Sequence, residues 1–121
     1  MATIALTSAD RNSVNGAIIL SWALGGADDG APYSLPFSAD LTFQVTGTFG
    51  GATVKLQGSN DGTNWFDLTK KGGTSALSVT AAGGGTANEN PAYIRPIASG
   101  GTGSVLAATV AIHARYSKVG Y

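Results

Sequence analysis

Residues 39–47 read ADLTFQVTG, with apolar and polar positions in strict alternation. Leu41, Phe43 and Val45 fall on one side; Thr42, Gln44 and Thr46 fall on the other. Period two is the mark of a strand with one buried face and one wet or partner-facing side. Residues 52–59, ATVKLQGS, repeat the pattern with Val54 and Leu56 against Lys55 and Gln57. Residues 63–68, TNWFDL, make a third run. The glycine turn TFGG separates the first two runs, and Ser59-Asn60-Asp61-Gly62 separates the second from the third. Short turns between alternating runs predict an antiparallel meander, since such neighbours need no crossover helix. Its predicted core is Leu41, Phe43, Val45, Val54 and Leu56.

Helical periodicity is nearly absent elsewhere. Residues 17–24, AIILSWAL, are β-branched and aromatic between glycine signals and predict a strand. The following GGADDGAPYSLPF reads as a loop, because Pro32 and Pro36 each remove a ladder donor. A strand is expected within 76–81, and a mobile loop over 83–90, which has no apolar periodicity. AYIRPIAS is expected to be an irregular strand, moved toward a sheet edge by Pro96. Residues 103–116, GSVLAATVAIHARY, form the longest strand candidate. Leu106, Ala108, Val110, Ile112 and Ala114 share one face; Val105, Ala107, Thr109, Ala111, His113 and Arg115 share the other. A sheet with one apolar face must cover it with another layer, so the fold class is all-β: an antiparallel β-sandwich, jelly-roll-like, as a single domain over residues 16–121. Residues 1–15 read as an N-terminal arm or edge strand. A tether to a neighbouring subunit and an ordinary first strand both fit them.

Two turns carry the distinctive residues. Gly47, Gly50 and Gly51 permit the first sharp reversal; Asn60, Asp61 and Gly62 make the second. Asn60, Asp61, Asn64 and Asp67 also offer oxygen ligands, but a calcium loop needs acidic groups at alternate positions and a closing glutamate, and the flanks here are strands. The turn is therefore read as structural, with no metal. Trp65 and Phe66 are adjacent and face opposite sides, which puts one toward the core and leaves the other exposed or covered by a partner. Trp22 has the same ambiguity. Together with His113 and Arg115, Trp22 and Trp65 are the candidate interface residues. No Gly-x-Ser-x-Gly elbow, paired carboxylates or phosphate-binding lysine appears. The expectation is a protein without catalytic activity or cofactor.

Composition sharpens this picture. Of 121 residues, 43% are hydrophobic and only 12% charged, and the formal net charge is zero. A nucleic-acid or anionic-lipid footprint is not expected from such a balance. A neutral surface repels its own copies poorly, which favours self-association and a surface covered by partners. The absence of cysteine excludes a disulfide framework. The N-terminal residues lack the features of a secretory signal, and the longest apolar runs, 17–20 among them, are far too short to cross a bilayer.

The segment ADLTFQVTGTFGGATVKLQGSNDGTNWFDL, residues 39–68, resembles small virion structural proteins of tailed bacteriophages, as does the YIRP run followed by SGGTG and a long final strand. The resemblance covers about half the chain. It implies a capsid decoration (cement) protein that binds the outer surface of the major capsid protein and stabilises the head. Such a protein is made in the host bacterial cytoplasm and ends on the virion. The alternative implied role is a tail or fibre module that recognises host glycan. A homotrimer about a symmetry axis is the expected self-assembly, with a dimer as the alternative. The family pattern supplies no catalytic residues.

Overall fold

The computed structural model describes residues 2–11, 17–36 and 39–114. Among them there are strands and no α-helix. One sheet is ordered β2 (Ser8–Arg11), β3 (Ile18–Leu24), β12 (Val105–Ala114), β6 (Ala39–Thr48), β10 (Gly83–Thr86). The other is ordered β1 (Thr3–Ile4), β4 (Asp29–Gly30), β11 (Tyr93–Ser99), β7 (Thr53–Ser59), β8 (Phe66–Asp67). In it, β5 (Tyr33–Ser34) also pairs with β11 and β9 (Ser78–Val79) with β7. All pairings are antiparallel except β1 with β4. The fold is an antiparallel-rich β-sandwich.

Alternation builds the core. Leu20 and Trp22 from β3, Leu41, Phe43 and Val45 from β6, and Val110 and Ile112 from β12 face Val54 and Leu56 from β7 and Ile94 from β11; all are at most 1% exposed. A fully buried side chain of this kind contributes roughly 1.5–3 kcal/mol. Trp22 can be buried because its indole N–H donates to the Ala31 carbonyl at 3.1 Å. It is a core residue, which corrects its reading as an interface candidate. A Cβ on Gly30 would lie 2.6 Å from the Pro96 ring and 2.7 Å from Trp22, so glycine lets the two layers close here.

The expected meander is corrected at its first turn. β6 pairs with β12 and β10, whereas β7 pairs with β11, β8 and β9, so the two strands lie in different sheets. The TFGG segment is an arch across the sandwich. Gly47, Gly50 and Gly51 have φ of 114°, 58° and 85°. The arch is held by Ala52 N donating to Phe49 O and Thr102 N donating to Gly50 O. Inward-facing residues are the same for an arch and a hairpin, which is why the core expectation holds while the pairing does not. The second turn is a hairpin as expected, joining β7 to β8.

Three further expectations change. β11 is interior, pairing with β7 along its whole length. Ala98 N donates to Asp28 O, so by alternation the imide nitrogen of Pro96 faces the same side, where β5 ends and β4 begins. The missing donor falls in that break. Within the expected mobile loop 83–90, residues Gly83–Thr86 are an edge strand on β6. Gly84 lies so close to the Phe43 carbonyl oxygen that a Cβ would collide with it. Within the 76–81 region only Ser78–Val79 is a strand.

Of the N-terminal arm, residues 3–4 pair in one sheet and residues 8–11 in the other. Ile4 and Leu6 pack against the core. Within the chain, the described residues of the arm form a strap joining the two layers. Met1 and residues 12–15 lie outside the described residues, as does Arg115.

Candidate functional site

The outward side chains of the two sheets form two unlike surfaces. On the seven-stranded sheet, register places Arg95, Gln57 and Asp67 in one row across β11, β7 and β8. A neighbouring row runs Thr3, Asp29, Ile97, Lys55 and Ser78. These side chains are joined. Arg95 Nε and Nη2 donate to Gln57 Oε1 at 3.1 and 3.0 Å, and Gln57 Nε2 donates to Asp67 Oδ1 at 3.0 Å. Lys55 Nζ reaches Asp67 Oδ2 at 3.2 Å, and Arg95 Nη1 reaches Asp29 Oδ2 at 3.5 Å. The guanidinium lies 4.3 Å from the centroid of Trp65, a cation–π distance. The Asp67 carboxyl is held below the usual range, first by the Gln57 hydrogen bond and, against burial, by Lys55. Asp29 Oδ1 is buried and has no hydrogen-bond partner among the described residues.

Beside this row, Asp61 organises the β7–β8 turn. Its Oδ1 accepts from Thr63 N, Asn64 N and Ser59 Oγ at 2.8–2.9 Å, and its Oδ2 accepts from Asn64 Nδ2 at 2.8 Å. Ser59 Oγ accepts in turn from Asp61 N and Gly62 N. The backbone bonds from Asn64 and Thr63, aided by the Asn64 and Ser59 side chains, hold the Asp61 carboxyl well below the usual carboxylate range. Gly62, with φ of 78°, passes over the Tyr93 ring. Both carboxylate oxygens thus accept hydrogen bonds from within the turn.

A second anchor escaped sequence reading. Glu89 accepts from Thr69 N and Thr69 Oγ1 at 2.8 and 2.6 Å. Burial opposes its ionisation, but the Thr69 bonds outweigh this and lower its pKa. Asn88 Nδ2 lies within hydrogen-bond reach of Thr69 Oγ1, Lys70 O and Gly73 O, and its Oδ1 accepts from Gly72 N. The partners lie 15–20 residues away, so no local pattern announces them.

The outer face of the five-stranded sheet is different. One row across all five strands is Asp10, Ile19, Ala111, Thr42 and Thr86. The next is Ser8, Ser21, Thr109, Gln44 and Gly84. A third is Ala23, Ala107 and Thr46, and beyond it Val105, 72% exposed, pairs with Thr48. His113 and Asp40 sit opposite each other at the other end. In the three middle rows Asp10, on the edge strand, is the one formal charge. Among the described residues of these rows, the side chains other than Asp10 are uncharged and most are small, which leaves a broad pleated surface with its charge at the edge.

Of the interface candidates, Trp65 is half-buried under Arg95 and His113 is exposed at the rim of the neutral face. Neither Trp65 nor Phe66 enters the core; Phe66 is 42% exposed on the short β8. Trp65 and His113 therefore belong to opposite sides of the sandwich and form no common site. The chain matches no family model and no curated protein.

Proposed function

We propose that the chain is a structural protein of a tailed-phage particle: a capsid decoration protein that sits on the outer surface of the major capsid protein and stabilises the head. The observation that carries this reading is the order in which the chain visits its sheets. From β3 it passes to β4, back to β6 and across to β7; from β10 it passes to β11 and back to β12. The late strands thereby insert among the early ones, β12 between β3 and β6, and β11 between β4 and β7. Such interleaving supports a jelly-roll reading, an architecture used by viral capsid and lectin domains. A fold hosts many functions, so the order narrows the class and the resemblance selects within it. The resembling segment coincides with the elements that set this order: GTFGGATV is the arch, and LQGSNDGTNW is the β7–β8 hairpin. The role is adhesive, without catalytic residues or cofactor.

The test is the copy number of the chain in purified particles of the phage that encodes it, by quantitative mass spectrometry. Hundreds of copies are expected. Absence from the particle removes the reading. A few to tens of copies favours the second reading, a tail or fibre module recognising host glycan. The exposed Phe66 and the Trp65, Arg95 and Asp67 group favour that alternative, because sugars stack on aromatic rings and bind planar polar groups.

A further inference from the structure

We infer that the neutral outer face of the five-stranded sheet is covered by a second copy of this chain, packed sheet on sheet about a two-fold axis. This inference does not rest on the virion reading. It starts from the contrast between the two faces. Arg95, Gln57, Asp67 and Lys55 bind one another across the seven-stranded face, so these polar groups already have partners within the chain. Across the five-stranded face, Thr42, Gln44, Thr46 and Ala107 are exposed and project no charge.

Size fits a stable pair. The strands of this sheet hold about 35 residues, each covering roughly 16 Å² of sheet plane, a flat footprint of about 560 Å². Side-chain relief raises this to roughly 700 Å² per copy, so two copies bury about 1,400 Å², inside the range of about 1,200–2,000 Å² for specific interfaces. Charge placement fits as well. Asp10 lies on an edge strand, and His113 and Asp40 lie at one end. Whichever in-plane two-fold relates the copies, neutral rows stack on neutral rows while charges stay at the rim, the usual anatomy of an interface. A second copy also brings a sheet of the same twist, the condition for aligned packing. A two-fold makes the contact self-complementary, with the same patch on both sides.

The experiment is sedimentation velocity of the full chain from about 1 to 200 µM, with melting curves to establish folding. The wild type should form a dimer that changes less than about twofold in affinity between 0.05 and 0.5 M salt, since no ion pair crosses its centre. Gln44→Lys sets like charges in the middle of the neutral rows and should make the protein monomeric across this range, with a melting temperature close to the wild type's when both are measured at about 1 µM, where the stabilisation that dimerisation adds is small. Thr46→Lys is the second variant, should the first fail to fold. Ser99→Lys adds the same charge to the opposite face and should leave the dimer intact. A wild type that stays monomeric, a trimer, or a dimer indifferent to both Gln44→Lys and Thr46→Lys overturns the inference.

Discussion

The two outer faces share one core and one strand chemistry, yet they handle polarity in opposite ways. On the seven-stranded sheet, charges and an aromatic ring are bound together: Lys55 to Asp67, Asp67 to Gln57, Gln57 to Arg95, Arg95 to Asp29 and Trp65. On the five-stranded sheet, charge is nearly excluded, and the hydroxyls and methyls of Thr42, Thr46, Thr109, Ala107 and Ala111 stand in its place. The first arrangement ties sheet stability to specific partners and to pH. The second leaves stability to backbone pairing and the buried side, and leaves the surface free for large-area contact. The Lys55–Asp67 and Arg95–Asp29 pairs thus bridge neighbouring strands of the seven-stranded sheet, where they stiffen the fold.

The largest expected effect lies beneath both faces and sets their scale. Phe43→Ala removes a fully buried ring shared by the two layers and should cost about 3–5 kcal/mol in urea unfolding. A loss below about 1 kcal/mol would mean that β6 presents its other side inward.

Next comes Arg95→Ala. It removes both bonds to Gln57, the stacking on Trp65 and the partner of Asp29, a carboxylate that is only 9% exposed. Leaving a buried charge unpaired is costly, so a loss of about 2–4 kcal/mol is expected. Arg95→Lys should recover little, because an ammonium cannot reproduce the planar fork. Full recovery by lysine would show that charge alone matters on this face.

Acid should separate the faces further. Asp61, Asp67 and Glu89 have pKa values below their unfolded ones in the folded protein. A depressed folded pKa stabilises above the unfolded value, about 4, and that contribution fades as pH falls through the folded value. The melting temperature should therefore be flat from about pH 5 to 8 and decline below about pH 4. Asp67→Asn should flatten part of the decline. A melting temperature that rises on acidification would contradict the assigned bonds.

These contrasts show what the sequence could and could not convey. Alternation identified Phe43 and Val54 as inward-facing, and Thr42 and Gln44 as outward, because side-chain direction is local. It could not say that β6 and β7 belong to different sheets, since an arch and a hairpin bury the same faces. Gly83, Gly84 and Gly85 carry no side chains, so their pairing with β6 left no periodic trace. The Arg95–Gln57–Asp67 row depends on register between strands nearly forty residues apart in sequence, which no short pattern encodes. Pro96 was legible as a missing donor, but not the break between β4 and β5 that receives it.

The smallest effects test the comparison most finely. Lys55→Ala and Thr46→Ala each trim one outward side chain, one from each sheet. Lys55 and Asp67 are 38% and 36% exposed in their side chains, so their pair contributes no more than about 1 kcal/mol after solvent screening. Gln57 still holds Asp67 in the variant, which limits the loss further. A deficit of a few tenths of a kcal/mol is expected in low salt, fading toward 0.5 M salt as the pair in the wild type is screened. Thr46→Ala loses no ion pair, only the preference of a β-branched residue for a strand, also a few tenths. That deficit should persist unchanged in high salt. Measured at about 1 µM protein, to keep self-association small, the two variants should thus differ in salt response more than in size. If Thr46→Ala loses its deficit in salt, or costs more than about 1.5 kcal/mol, the five-stranded face holds an ionic or packed network after all, and the contrast between the faces fails.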